Sequence, residues 1–512
     1  MPTAHSRRSP PLSRWCAAAA LALAVFSAAA QVGPQVDSVP IPPGVDVFAL
    51  GLEDIRKYAS AKNFEVLGHS YFKIAQRTPW AKAEGRPGAE VGSGFNTVRV
   101  YDGIGYLGGY SFPPTLYHVA IADVRDSQNI RLLSTIACNP GTRCNYLRVQ
   151  PRQKLLIVGH DEDLRGNPNK PPAGEKTRSG WSFHDVSDPR NPKLLAFVAA
   201  APGGKTHGLE IDQRYLYGCS QYADGVAREG IQIVDFGDTK NIREVANWHV
   251  PGQVKGEERE PLNRNNPDGT PQILQCHEVN YHNDRLYVSY RDAGMLIFDV
   301  RDRSKPVLLA THDYVPPFHG GLLGAAHSSM PVVTAPNQHP DLVVQTDEIF
   351  DCPQGFGRIL DVSDVKNPEV AAGSRPANVV VLSTFRLPHI SDAYDSRKRE
   401  FTCAEKGGPF GTLSSSTHLP MQDLRSPSLV YVTWYDEGVR ALDISNPSAP
   451  AFVGHYLSPR FASPGRSDRH TREIWQDPAT LLLYLTDGNG GGLTVLRYTG
   501  ALPKEPPMPG AR

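Results

Sequence analysis

The chain has 512 residues, with 53 Lys and Arg against 53 Asp and Glu and therefore no formal net charge. That balance argues against a nucleic-acid partner, which calls for a basic surface. Its 46 glycines and 45 prolines, with helical periodicity nearly absent, argue against a helical bundle and suit an all-β fold rich in turns.

Residues 1–30 read as a signal peptide. Arg7, Arg8 and Arg14 form a positive start, Cys16 opens an apolar run, and Ala28-Ala29-Ala30 offers a small-residue cleavage site. The run falls short of the about 20 residues that a membrane span needs. Arg7-Arg8 invites a twin-arginine reading, but Pro10 and Pro11 stand where that signal has an apolar residue. Removing three arginines from 53 basic residues against 53 acidic ones leaves a formal charge of −3. The expected location is periplasmic or secreted. No later stretch is long and apolar enough to span a membrane. Residues 31–61 read as a Pro-rich linker with a short helix, and residues 500–512 as a flexible Pro-rich tail.

Between these lies a repeat spanning residues 62–499. Six segments share an apolar strand ending in Asp, a short turn and a second strand. The aspartates are Asp123, Asp185, Asp235, Asp299, Asp361 and Asp443. Two further strands precede each motif, as in HGLEID followed by RYLYGCSQ. Four short antiparallel strands repeated radially make a propeller blade, which needs neighbours to bury its faces. A seventh copy, LTVLRYTG, lacks its second strand. The segment from Asn63 to His69 resembles the outer strand that ends in Val453-Gly454-His455-Tyr456, and is expected to supply the missing one. The predicted fold is an all-β, seven-bladed propeller of four-stranded antiparallel blades, closed by an N-terminal strand.

This blade signature resembles the LVIVD-repeat family of exported bacterial propellers. The stretch from Cys403 to Gly411, with His418 beyond it, is similar to a segment that recurs there. The resemblance implies fold and export, and little about any reaction.

The start of each innermost strand carries the strongest functional signal. In order these positions hold Asn96, Asn145, His207, His277, His327, His418 and His470. Innermost strands line the central channel, so one phase becomes a ring about the axis. With 17 histidines in 512 residues, five in seven at one phase is not a chance pattern. Neutral imidazole suits transition metals, so His207, His277, His327, His418 and His470 are the candidate metal ligands. Copper or iron is favoured and zinc is the alternative cofactor. Channel histidines hold a transition metal in carotenoid-cleaving oxygenases and in selenium-binding or methanethiol oxidase propellers, a similarity of layout alone. The competing reading makes the histidines structural, bonding blade to blade.

Glu210, Glu278 and Glu473 follow their histidines closely. They read first as interblade salt bridges and second as partners of an imidazole. Asp161, Asp292, Asp347, Glu348, Asp436 and Asp487 end second strands, where turn chemistry is the simpler account. The loop from Asp487 to Gly492 reads as a turn. His319 and His339, off the ring phase, are expected to face solvent.

Long insertions at 162–180, 251–275, 316–325, 388–416 and 457–469 are expected on the face where the ring begins, with Gly320, Gly321 and Gly324 letting one approach closely. A rigid scaffold with long loops on one face suits a small-molecule ligand or a surface partner there. Of the cysteines left after export, Cys138 is expected to pair with Cys144 across a tight turn, and Cys352 with Cys403. Two functions stay open: a metal-dependent enzyme, an oxidoreductase rather than a hydrolase, and a non-enzymatic binding or scaffold disc.

Overall fold

A computed structural model describes residues 37–42, 44–72, 94–110, 118–162, 174, 177–200, 205–221, 229–253, 257, 272–312, 326–349, 355–387, 393–395, 400–402, 416–461 and 470–509. Cys352, Cys403, His319 and most of the long insertions lie outside these residues.

The strands form seven blades. Blade 1 holds Phe95–Tyr101, Ile104–Gly109, His118–Asp123 and Arg131–Ala137. Blade 2 holds Thr142–Gln150, Leu155–Glu162, Gly180–Asp185 and Lys193–Ala199. Blade 3 holds Thr206–Ile211, Tyr215–Gln221, Glu229–Asp235 and Arg243–Trp248. Blade 4 holds Glu278–His282, Arg285–Ser289, Met295–Asp299 and Val307–His312. Blade 5 holds Ala326–Pro331, Leu342–Asp347, Gly357–Asp361 and Val380–Phe385. Blade 6 holds Thr417–Asp423, Ser426–Trp434, Gly438–Asp443 and Ala451–Leu457. Blade 7 holds Thr471–Gln476, Leu483–Asp487 and Gly492–Tyr498, and its outer strand is Phe64–Ser70 from the N-terminal side.

The repeated Asp ends the third strand of blades 1 to 6, and its function there is local. Asp123, Asp185, Asp235, Asp299, Asp361 and Asp443 each accept a hydrogen bond from the backbone N–H two residues on, at 2.8–3.2 Å. This side-chain turn reverses the chain into the fourth strand.

Apolar residues of neighbouring blades meet between the sheets, so the core is divided around the ring. One cluster joins Tyr217, Ile231 and Ile233 of blade 3 to Val279, Leu286, Val288 and Leu296 of blade 4. Another joins Met330, Val344 and Ile359 of blade 5 to Val432, Trp434 and Leu442 of blade 6.

The linker adds more than a tether. Ser60–Lys62 pairs with the outer strand of blade 6 as a fifth strand. The helix Leu52–Tyr58 has Glu53 and Asp54 in its first turn and Arg56 and Lys57 in its last, the arrangement that suits the helix dipole. Its Ile55 is buried in a cluster shared by blades 6 and 7. Arg56 donates to the Val66 carbonyl at 2.7 Å. Near the other terminus, Ser426 donates to the Pro503 carbonyl at 2.8 Å, which places the tail along blade 6.

Two disulfides are formed among the described residues. Cys138–Cys144 matches expectation, whereas Cys219–Cys276 was not anticipated. The second joins the second strand of blade 3 to the start of blade 4 across a separation of 57 residues. A loop of that length restricts the unfolded chain by about 4 kcal/mol in the chain-entropy account. Replacing both Cys219 and Cys276 by Ser is expected to lower unfolding stability by about 2–4 kcal/mol in denaturant titration. Peptide mapping without reductant should recover the two cysteines linked.

Histidines buried away from the channel make the fold acid-sensitive. Burial pushes His160 and His312 down to about 3 and His184 to about 4. The unfolded chain therefore binds more protons than the folded one below about pH 6.5. Stability from these groups is complete above that pH and is lost as pH falls toward 3–4. Each histidine should contribute on the order of 2 kcal/mol of loss between pH 7 and 5. Melting followed across that range would show the decline, and a flat profile would contradict it.

Candidate metal centre

Six of the seven innermost strands begin at or beside the predicted ring positions, and that of blade 2 begins at Thr142, three residues before Asn145. His207, His277, His327 and His418, from blades 3 to 6, follow one another around the channel. Their successive ring centroids lie 4.1, 4.2 and 4.4 Å apart. His470 does not join this row directly. Tyr435 stands between, 4.9 Å from His418 and stacked on His470 at 4.6 Å. On the other side Tyr146 closes against His207 at 4.9 Å.

Backbone carbonyls of the next blade orient part of the ring. His277 Nδ1 lies 3.2 Å from the His327 carbonyl, and His418 Nδ1 lies 2.6 Å from the Arg472 carbonyl. A carbonyl can only accept, so Nδ1 carries the proton and Nε2 keeps its lone pair. Asn96 fills the same position in blade 1 and donates to the Asn145 carbonyl at 3.0 Å, the same blade-to-blade bond. The residue type at this phase thus has a structural function, and the histidines present a free nitrogen in addition.

A carboxylate completes the arrangement. Glu348 directly follows the second strand of blade 5 and is 7% exposed. Its oxygens lie 3.7 Å from His277 Nε2 and 3.9 Å from His327 Nε2. One ligand atom from each of His277, His327 and Glu348 falls within 4.8 Å of the others, and no other such group occurs among the described residues. Arg291 donates to one Glu348 oxygen at 2.9 Å, and the Tyr435 hydroxyl donates to the other.

Burial pushes the imidazoles of His207, His277, His418 and His470 well below their ordinary value, and that of His327 to about 3. Burial also opposes the charge on Glu348. The permanent cation of Arg291 and the Tyr435 hydroxyl decide in favour of its ionised form, and its pKa falls. Neutral imidazoles beside an ionised carboxylate are the forms that bind metal. His327 is fully buried, and its Nε2 has no hydrogen-bond partner.

The remaining acidic residues divide by function. Glu473 pairs with Arg99 at 2.8 Å and Glu210 with Arg148 at 3.2 Å, both between blades, as the simpler reading held. Burial pushes Glu278 up to about 8, with Tyr146 as its hydrogen-bond partner. Asp161 pairs with Arg143 and Asp347 with Arg358, each at 2.6 Å. Asp487 accepts from the backbone of Asn489 and Gly491, the expected turn. Glu348 departs from the turn chemistry expected of it. His339 is half-buried rather than solvent-facing, because it lies against the Arg285 and His282 side of the ring.

Sequence reasoning missed Tyr110 and Tyr435. Along with Glu348 they share a signal, since each directly follows the last residue of its blade's second strand. The position is the same in three blades, but its residue types vary too much for composition to reveal it.

Seven radial four-stranded sheets around a histidine-lined channel define a β-propeller. The LVIVD repeat model matches residues 279–313, in blade 4, and 429–458, in blade 6. The chain thus carries LVIVD repeats in two blades of its β-propeller. No curated protein matches its sequence. Among solved structures it is similar to the β-propeller domain of Myceliophteria thermophila Cps50 (Swd1). That pair is 12% identical over 79% of this chain and 96% of the other, with a TM-score of 0.44. A protein from Lactobacillus plantarum is 12% identical over 78% and 94%, with a TM-score of 0.47. A functionally unknown protein from Desulfotomaculum acetoxidans is 11% identical over 74% and 89%, with a TM-score of 0.43.

Proposed function

We propose that this is a periplasmic or secreted propeller that binds one transition metal at His277, His327 and Glu348 and uses it in an oxidoreductase reaction on a small organic substrate. The supporting observation is the buried His327 Nε2, unbonded and facing an ionised carboxylate. Two disulfides accord with an oxidising compartment. No helix among the described residues is long and apolar enough to cross a membrane.

Two imidazoles with one carboxylate are a donor set of non-haem iron and of catalytic zinc. Iron therefore fits better than copper, and zinc would redirect the chemistry to hydrolysis. Bound there, the metal would supply Lewis-acid and electron-transfer chemistry beside open coordination positions. Arg291 and Tyr435 fix the carboxylate, and the Nδ1 bond to the His327 carbonyl fixes the His277 ring. His207 and His418 flank the pair and narrow the space around it.

The test is elemental analysis of protein purified from the exported fraction. One iron per chain is the expected result. Protein without iron, copper or zinc after growth with all three would favour the other reading, a binding disc with structural histidines. The blade-to-blade bonds of His277 and His418 supply the observation behind that alternative.

A further inference from the structure

Arg472 is a buried cation with no ion pair among the described residues; Glu348, which acts on it electrostatically, is already paired with Arg291. It lies on the innermost strand of blade 7, two residues beyond His470, and is 5% exposed. Every other deeply buried arginine of the channel wall has a carboxylate partner: Arg99 with Glu473, Arg148 with Glu210, and Arg291 with Glu348. Arg472 makes no ion pair among the described residues, and its buried Nε has no hydrogen-bond partner. Isolated charges are costly to bury unless something neutralises them.

The surroundings hold the guanidinium in place without satisfying it. It stands 3.9 Å from the centre of the Tyr110 ring and 5.1 Å from that of Tyr435. Both tyrosines also contact His470. Gly488 makes room for this stack, since a Cβ there would lie 2.7 Å from His470 Nδ1 and 3.3 Å from Arg472 Cγ. Aromatic faces stabilise a cation but offer its N–H groups no acceptor. Tyr435 joins this cation to the candidate metal centre, because its hydroxyl holds Glu348.

We infer that Arg472 is the anchor for the carboxylate of a small organic acid bound in the channel. A guanidinium fork matches a carboxylate in two parallel hydrogen bonds, and Arg291 and Arg472 against the single Glu348 leave one net positive charge, which calls for a monoanion. The inference rests on the proposed function only in placing the far end of that acid at the metal. Anion binding itself needs Arg472 alone.

The experiment is calorimetric titration of the chelator-treated full mature chain with acetate, with its uncharged isostere acetamide, and with inorganic phosphate. Acetate should bind without metal, and acetamide should not. Arg472→Met should weaken acetate at least about 10-fold while Arg497→Met, at an exposed arginine of the same blade, leaves it unchanged. Should Arg472→Met fail to fold, wild-type protein suffices, because the Arg472 Nε–H signal in a nitrogen–proton correlation spectrum should move with acetate and not with acetamide. Unchanged acetate affinity in folded Arg472→Met, an Nε–H signal that does not move, or a preference for phosphate would overturn the inference. Acetate binding that requires metal and ignores Arg472 would leave the metal reading standing and remove this one. Arg472-dependent binding to a protein that never takes up metal would do the reverse.

Discussion

Replacing His327 by Ala is expected to abolish metal uptake while the protein still folds. His327 is fully buried, and its Nε2 makes no hydrogen bond, so truncation removes packing rather than a bonded network. Large-to-small changes of that kind cost about 2–5 kcal/mol, spread over a ring whose core lies between blades. Metal affinity should fall by more than about 100-fold, since even outer partners of a ligand are worth about 10–100-fold. Glu348→Gln makes the comparison decisive. It removes a ligand, and it also strips Arg291 of its partner and so leaves a buried charge unpaired. That variant should lose metal and also about 3–5 kcal/mol of stability. Elemental analysis beside thermal melts separates the two effects. If both variants lose stability and neither differs from wild type in metal content, the residues are a structural plug and the enzyme reading falls. His319→Ala, off the ring phase, should change neither quantity.

The second large effect is expected at Gly68. This residue follows the bulge in the N-terminal strand of blade 7, where the register shifts between Val66 and Gly68. A Cβ added there would lie 1.7 Å from the backbone oxygen of Ser127, in the turn after the third strand of blade 1. Backbone cannot move aside as a flexible side chain can. Ser127 also donates to the Leu67 carbonyl at 3.2 Å, so the collision falls on the joint between last and first blades. Gly68→Val should destabilise the protein by about 4 kcal/mol or more, among the largest single-residue effects. Gly51→Ala, where the nearest atom would be 3.8 Å away, serves as the control and should change little. Equal melting temperatures for the two variants would refute this account of the closure.

The blades were legible because their cause is local and repeated. Each repeat Asp caps its own turn through the backbone two residues on, so the sequence must restate it at every blade. The histidine phase was legible for a related reason: it recurs with the blades, and at His277 and His418 the imidazole meets a carbonyl of the next blade. The site itself was only partly visible. Two of the five histidines, His277 and His327, meet a carboxylate, while Tyr435 displaces His470 from the row. Glu348 could not be told from the acidic turn residues around it, because its direction depends on three-dimensional contacts with Arg291 and Tyr435 rather than on its neighbours in sequence. The disulfide Cys219–Cys276 was hidden in the same way. Its partners belong to different blades, and the six cysteines that follow Cys16 allow about 15 pairings.

The closure also sets when the protein can finish folding. Glu65 and Arg497 face each other in blade 7 from positions 432 residues apart. The strand Phe64–Ser70 is made before the blades and finds its partner last, after every other blade has been synthesised. Contacts of such sequence separation slow folding, because a long loop must close before they form. Until then the earliest strand is an unpaired edge, open to mispairing with another chain. A chaperone that binds the segment around Phe64–Ser70 would guard the slowest step of assembly. A chain that stalls before residue 492 would lack the partner that completes its ring.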